Sequence, residues 1–334
     1  MAQNPHNQIS EKSDIPVKIL EFLKDNKDYV SGEEISRHLN ISRQALWEHI
    51  NGFRDAGYEI AAVPHLGYRM AALPDRLFPF EIEDGLGTRF VGRKVHYLNR
   101  CSSTMDIAMQ VSGDDPQDGL LIVAESQTRG KGRLGRHWVS TKYKGLYFTL
   151  VLKTKVPVDR ISLLTFLTAV SVCEAVKTSA GISCSIKWPN DVLINGKKLG
   201  GILTELKTGP GKAHFAAIGV GLNVNNDHQE LLRGAVSLKA ASRDRKKFNR
   251  VALLQEILRR IEENYLVFQK KGPSAVLEKW KSWNVTLGRQ VRVISSNSHI
   301  DGTAADIDSD GGLLVRAGGP GLRKFMSGDI LHLR

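Results

Sequence analysis

Between Pro16 and Gly57 the apolar residues recur at helical spacing in three short runs. In "PVKILEFLKDN", Val17, Leu20, Phe22 and Leu23 gather on one side. "SGEEISRHL" opens on Ser31 with Glu34 three residues on, which is a capping box. "ISRQALWEHINGFRDAG" starts at Ser42, carries a stripe of Ala45, Leu46, Ile50 and Phe53, and stops at Gly57, a good residue just past a helix end. The tight "LNIS" connection between the last two runs predicts a helix-turn-helix. "YEIAAVPHLGYRM" then switches to two short strands around a turn at Pro64–Gly67, the wing of a winged helix. The expected first domain is 1–73; a small helical adaptor is the alternative.

Downstream the periods mix. "LPDRLFPFEIEDGLG", with two prolines, predicts a linker. "RKVHYLNR", "GLLIVAES" and "GLYFTLVLK" predict strands, and so do "CSIKWPNDVLING", "KKLGGILTELK" and "AHFAAIGVGLNV", joined by tight turns. "SSTMDIAMQ", the long apolar "DRISLLTFLTAVSVCEAVKTSAG", "RVALLQEILRRIEENYLVFQKKG" and "SAVLEKWKSW" predict helices. Strands dominate the middle and helices flank it, so the class is α+β with a mixed sheet over 74–284. The tail, 285–334, is all short strands with Asp-Gly, Gly-Gly and Ser-Gly turns, a small SH3-like β-barrel.

Composition narrows the possibilities. The uncharged apolar run between Arg160 and Glu174 is too short for a membrane span, and the N-terminus has no apolar core of a secretory signal. Three cysteines without a C-x-x-C fit neither a disulfide framework nor a zinc site, and point to a reducing cytoplasm. The net charge of +12 suggests an anionic partner. It is unevenly spread: eight basic against eleven acidic side chains through Asp75 give −3, which leaves +15 for the remainder. The winged helix is thus mildly acidic overall, and any DNA contact rests on local placement. Ser42, Arg43 and Gln44 open the expected recognition helix, where base contacts are made, and Trp47 either reaches the DNA backbone or packs.

Two stretches carry chemistry. "QTRGKGRLGRHW" matches G-x-G-x-x-G by letter at Gly130, Gly132 and Gly135. A dinucleotide turn would open a helix and have an acid about twenty residues on; here loop and then strand follow, so that reading fails. Glycines interleaved with Arg129, Lys131, Arg133 and Arg136 predict an anion cradle instead, because glycine lets backbone N–H groups approach an anion that the cations neutralise. In "KWPNDVLINGKKLGGIL" a tight turn at Pro189, Asn190 and Asp191 brings Lys187 and Asp191 within reach of one site. The lysine suits a charged phosphoryl or carboxylate oxygen, and the aspartate could hold that lysine or a magnesium ion. Lys198, Gly200 and Gly201 add a cation and close backbone approach.

With "GVGLNVN", these two stretches resemble the biotin–protein ligase family, and the winged helix in front resembles its bifunctional members that also repress biotin operons. The resemblance covers nearly the whole chain. It implies that biotin is activated with ATP and Mg2+ to biotinyl-5′-AMP and passed to a lysine of the biotin-carrier domain of a carboxylase. It places Ser103, Thr104, Gln127 and Gly201 at biotin, with Arg133 and Lys131 on its carboxylate. Lys187 becomes the foremost catalytic residue, with Arg133 and Asp191 beside it. Arg133, Arg136, Trp138, Asn190, Lys198 and Asn223 go to the nucleotide. Magnesium enters with ATP and has no fixed protein site. It also implies a biotinyl-AMP-promoted homodimer on a two-fold operator, and no membrane. Two departures stand out: Met105 where Asn is frequent, and Lys131 where Arg is frequent, which loses bidentate geometry. No covalent enzyme intermediate is implied, so no cysteine needs a catalytic role. A ligand-sensing regulator without ligase activity and a lipoate ligase are the rival readings.

Overall fold

The stripes that mark the N-terminal helices become one small core. In the computed structural model, residues 15–112, 117–154, 156–208, 215–295, 298–319 and 321–333 are described. Helices α1 (Ile15–Asp25), α2 (Gly32–Leu39) and α3 (Arg43–Asp55) precede the antiparallel wing β1 (Glu59–Val63) and β2 (Gly67–Ala72). Val17, Leu20, Leu23, Ile35, Leu46, Ile50 and Phe53 are all buried. Ser31 and Ser42 accept from the backbone N–H groups of Glu34 and Ala45 at 3.1 and 3.0 Å, so both starts are capped, although at Ser31 only the serine half of the expected capping box is formed among the described residues. Gly67 is obligatory: at its φ of +106° a Cβ would sit 2.0 Å from the Val30 carbonyl oxygen. Ser42→Ala is expected to cost this unit about 1 kcal/mol, read as an earlier first transition in thermal unfolding of the full chain. An unmoved transition would mean the cap contributes nothing.

The stretch expected to be a linker folds instead. A short helix α4 (Pro79–Glu83) forms, and Leu77, Phe78, Phe80 and Ile82 are buried. Tyr58 and Lys24 donate to Glu81 at 2.7 and 2.8 Å. The first compact unit therefore runs to Asp84 rather than ending at 73. Two prolines misled the sequence reading, because a proline at the first helical turn is compatible with a helix.

The second unit is built on a seven-stranded sheet. Its elements are β3 (Lys94–Leu98), α5 (Thr104–Val111), β4 (Leu120–Ala124), β5 (Gln127–Lys131), β6 (His137–Ser140), β7 (Leu146–Lys153), α6 (Ser162–Ala180), β8 (Ser185–Lys187), β9 (Asp191–Ile194), β10 (Lys197–Lys207), β11 (Phe215–Leu222), α7 (Leu238–Ala241), α8 (Arg250–Lys271) and α9 (Pro273–Trp283). The sheet order is β3-β4-β7-β11-β10-β9-β8; β3 and β4 pair parallel and the other neighbours antiparallel. Alternation along the strands gives two faces. One face takes α6, which packs against α8 and α9. Helix α6 is long and apolar enough to cross a membrane, but most of it is buried against this sheet and its neighbouring helices.

The other face takes α5. Met105 and Ala108 pack there on Leu120, Ile122, Val151 and Ala217. Along this face β11 reads Phe215, Ala217, Gly219, Gly221. The side chains shrink toward one end of the strand, and that shrinkage hollows a cavity beside α5.

The C-terminal sheet is antiparallel in the order β15-β14-β13-β12-β16, from β12 (Gln290–Ser295), β13 (Ser298–Ile307), β14 (Leu313–Arg316), β15 (Leu322–Phe325) and β16 (Asp329–His332). It is fastened to the β8–β9 turn. Trp188 is buried and donates from Nε1 to the Gly311 carbonyl at 3.2 Å, and Thr286 Oγ1 accepts from the Trp188 backbone N–H at 3.1 Å.

Candidate active site

The hollow is a cavity of about 530 Å³ on the glycine-bearing face of the sheet. It runs from Thr149 on β7, across β11, β10 and β9, to Lys187 on β8. Four strand spacings of ~4.8 Å make that roughly 19 Å, so it suits an elongated ligand. Every residue that the sequence assigned to biotin or nucleotide lines it.

At the β7 end a hydroxyl and amide network is already closed on itself. Gln127 Oε1 accepts from the Thr104 N–H at 2.8 Å and from Thr104 Oγ1 at 3.2 Å. Gln127 Nε2 donates to Ser140 Oγ at 2.9 Å, and Thr149 Oγ1 donates to Thr104 Oγ1 at 2.9 Å. Thr104 and Gln127 thus hold one another in place. Ser103 does not join them. It sits at the start of α5 without capping it, is buried, and its Oγ has no partner among the described residues. A buried hydroxyl left unpaired is costly, and this one lines the cavity, where a ligand could satisfy it. Thr149 went unnoticed in the sequence; its signal was a lone hydroxyl inside the apolar strand "LYFTLVLK". Met105, Leu203 and Gly219 form the apolar wall beside this network, and a Cβ on Gly219 would lie 3.0 Å from Met105 Cε.

The basic glycine run is not loop followed by strand as expected. Strands β5 and β6 pair as a separate hairpin, and "KGRLG" is its tip. The period-2 signal was hidden because glycines and cations fill the positions where apolar residues would show it. This hairpin lays Trp138 on the sheet: a Cβ on Gly221 would lie 2.5 Å from the indole and one on Gly201 3.6 Å, while Lys198 Nζ stands 5.6 Å from the ring centroid. Trp138 Nε1 is buried and unpartnered among the described residues.

The four cations of the run divide. Arg133 turns inward; its Nη1 donates to Asn190 Oδ1 and to the Gly328 carbonyl, both at 3.4 Å. Burial lowers its pKa and Asp191 opposes that, but a guanidinium stays charged at neutral pH. Arg136 pairs with Asp329 of the C-terminal sheet, an interaction the sequence could not reveal. Lys131 pairs with Asp106 on α5, and that hydrogen bond raises its pKa. Its charge is spent on holding the hairpin to the helix. Arg129 lies at an exposed position outside the cavity lining.

At the β8 end, Lys187 and Asp191 are register partners as expected. The ion pair differs from expectation: the Asp191 carboxylate binds Lys198 Nζ at 2.6 Å. Among the described residues no ion pair ties Lys187, whose pKa falls because of burial and the nearby Lys198 and Arg136, with Asp191 opposing. Asn190 Nδ2 donates to the Ile202 carbonyl at 2.8 Å and fixes the turn. Asn223 Nδ2 donates to the Val236 carbonyl at 3.3 Å and holds the loop that closes this side. The lining carboxylates Asp191, Glu230 and Asp329 are each engaged by a cation of the chain. No cluster of three metal-ligating residues occurs among the described residues. The site can therefore hold a ligand with a polar end, an apolar body and, toward Lys187 and Arg133, negative charge.

On α3, Arg43, Gln44 and Trp47 are exposed next to the Ser42 cap. Trp47 is 57% exposed, so it does not serve the core. Gln44 Nε2 donates to Glu48 at 3.3 Å.

Residues 97–223 match the model of the Biotin/lipoate A/B protein ligase family, residues 17–69 an HTH domain, and residues 286–333 the Biotin protein ligase C terminal domain. The chain is 36% identical over 313 residues to the bifunctional ligase/repressor BirA of Bacillus spizizenii, covering 92% of this chain and 95% of that protein. It is 28% identical to the Escherichia coli protein of the same name, over 95% and 96% of the two chains. A biotin protein ligase from Aquifex aeolicus, solved in complex with biotin and ATP, superposes with a TM-score of 0.61 at 29% identity, covering 72% of this chain and 98% of that one.

Proposed function

The chain belongs to the biotin protein ligase family, with bifunctional ligase/repressors among its full-length relatives, and on that premise we propose that it activates biotin with ATP and transfers it to a protein lysine. The observation that carries this is the cavity itself. It holds a buried Ser103 hydroxyl without a partner among the described residues and an apolar wall toward one end, and toward the other Arg133 and Lys187, which no ion pair among the described residues ties. Ser103 takes the ureido head of biotin, which both donates and accepts. The wall of Met105, Leu203 and Gly219 takes its apolar body.

The carboxylate then lies toward Lys187 and Arg133 with the α-phosphate of ATP. Its oxygen attacks the α-phosphorus, the bond to the β-phosphate oxygen breaks, and pyrophosphate leaves with the electron pair. Two anions must approach each other for this, and the cations remove that repulsion in a partly desolvated site. A carrier lysine amine next attacks the acyl carbon, AMP departs, and the amine loses its proton. Trp138, packed on the Gly201–Gly221 surface, flanks the adenine, and the Asn223 loop closes over the adenylate against water. Magnesium comes as part of MgATP, since each lining carboxylate is already engaged. The three cysteines are free and no step uses them; a reducing cytoplasm suits them.

Incubation of the full chain with biotin, MgATP and a biotin-carrier domain should label one carrier lysine; absence of label would overturn the enzyme reading. The winged helix makes the protein a repressor as well. Arg43, Gln44 and Trp47 lie together on the exposed side of α3, ready for a major groove. Biotinyl-AMP promotes a homodimer whose two winged helices meet two half-sites. A gel shift on the promoter of the organism's own biotin-synthesis genes should strengthen with biotin and ATP and weaken with salt. A shift indifferent to both would remove the repressor reading.

A further inference from the structure

Away from the ligand cavity, exposed cations gather on one face of the second unit. Arg243, Arg245, Lys246 and Lys247 crowd the loop between α7 and α8, with Asp244 among them. Asp244 pairs with Lys246 at 3.1 Å, and no ion pair among the described residues engages Arg243, Arg245 or Lys247.

Hydrogen bonds tie this loop to neighbouring segments. The buried Asn225 donates from Nδ2 to the Phe248 carbonyl and accepts at Oδ1 from the Phe248 N–H, both at 2.9 Å. Its own backbone N–H donates to the Lys144 carbonyl at 2.7 Å. Tyr143 donates to Asn99 Oδ1 at 3.1 Å, and the Arg129 N–H donates to the Ser102 carbonyl at 2.8 Å. The exposed Arg100, Arg129 and Lys142 therefore extend the same strip. None of these three has an ion pair among the described residues; Lys142 rests over the Tyr143 ring, 4.7 Å from its centroid.

Such a strip is unfavourable in the free protein. Its like charges repel one another. Lys247 also lies just ahead of the Asn249 cap of α8, where the helix macrodipole favours anions, and the first turn of α8 holds no acidic residue to offset it. A bound polyanion removes the conflict. The placement of the strip says which kind. None of its cations lines the ligand cavity, so it is an open surface that follows an extended polyanion better than it encloses a small one. Affinity for DNA irrespective of sequence comes from phosphates neutralised by Lys and Arg. The winged-helix part of the chain, through Asp75, carries −3, whereas the remainder carries +15. We propose that the strip binds the phosphate backbone of duplex DNA and supplies the sequence-independent grip for which the winged helix has few cations. The choice of DNA as the polyanion rests on the repressor reading above.

The test is fluorescence anisotropy of the full chain over a salt series on two labelled duplexes of equal length. One comes from the promoter of the organism's own biotin-synthesis genes and the other is its scrambled counterpart. With Arg243→Gln, Arg245→Gln and Lys247→Gln combined, the slope of log affinity against log salt on the scrambled duplex should become shallower by roughly two to three, since each neutralised phosphate contributes about 0.9. Affinity at about 0.1 M salt should fall about tenfold or more. Arg100→Gln with Lys142→Gln, on the adjoining segments, is the second variant and should flatten the slope by roughly one to two. Phosphate contacts carry no sequence information, so the preference for the promoter duplex should stay within about twofold of wild type in both variants, whereas Arg43→Gln should lose preference and keep most of the slope. Biotinyl-AMP formation should be unchanged in both strip variants, which shows that the fold is intact. Slopes within about half a unit of wild type in both variants would overturn the proposal. So would a loss of carrier labelling with an unchanged slope, which would make the strip a docking face for an acidic protein. If the strip variants weaken binding as expected but the wild type shows no preference for the promoter, the repressor reading fails while the DNA-binding strip stands.

Discussion

Lys187→Met is expected to slow biotinyl-AMP formation by roughly two to three orders of magnitude, the usual loss when one charge-stabilising group is removed from a developing anion. Pyrophosphate release under saturating biotin and MgATP measures it. The methionine keeps the length and apolar stem of the side chain, so the fold is retained and the loss belongs to the charge. Lys187 stands out because its neighbours are committed elsewhere: Asp191 to Lys198, Arg136 to Asp329, Lys131 to Asp106. The pH profile gives a second readout. Burial lowers the Lys187 pKa, and the charged ammonium is the working form. The rate should therefore fall as pH rises through that lowered value, giving an alkaline limb below the 10.5 of an ordinary lysine. Lys187→Arg cannot titrate in this range, so whatever activity it keeps should lack that limb. A wild-type rate in Lys187→Met would end the catalytic assignment.

Arg250→Met is expected to cost about 3–5 kcal/mol of stability, because it takes a charged partner away from a buried carboxylate. Arg250 Nη1 donates to Glu125 Oε2 at 2.8 Å and to the Gly145 carbonyl at 3.1 Å, and both side chains of the pair are 0% exposed. The second thermal transition should drop on the order of 10 °C. Replacing both partners by apolar residues of similar shape should recover much of the loss, since the buried carboxylate is removed together with its cation. The position matters for the site too. Glu125 stands between β4 and the hairpin that carries Gln127, Arg133 and Trp138, so the pair anchors that hairpin to α8. A drop of only a degree or two would mean that Glu125 is satisfied without Arg250.

The periodic elements were legible because their burial is one-sided. Leu46, Ile50 and Phe53 lie where helical spacing puts them, and "GLYFTLVLK" is buried along its length. The "KWPND" turn was legible because proline and Asn-Asp leave few backbone alternatives. The strands of "QTRGKGRLGRHW" were not, since neither of them alternates apolar with polar residues. Nor was α4, because Pro79 at its start and Pro74 ahead of it imitate a linker.

The amino-acid order thus determined the helices, the strands and the residue types that gather at the cavity, since local propensity and periodicity act within a few residues. It also carried the family resemblance, which lies in short contiguous motifs. Which cation pairs with which carboxylate was decided by the tertiary structure. Lys131, Arg136, Lys187 and Lys198 look equivalent in sequence. They are distinguished by Asp106, Asp191 and Asp329, which come from a helix, a hairpin and a separate sheet. Charge pairing depends on distance in space, and only the packed sheet, the folded hairpin and the docked C-terminal strands set those distances.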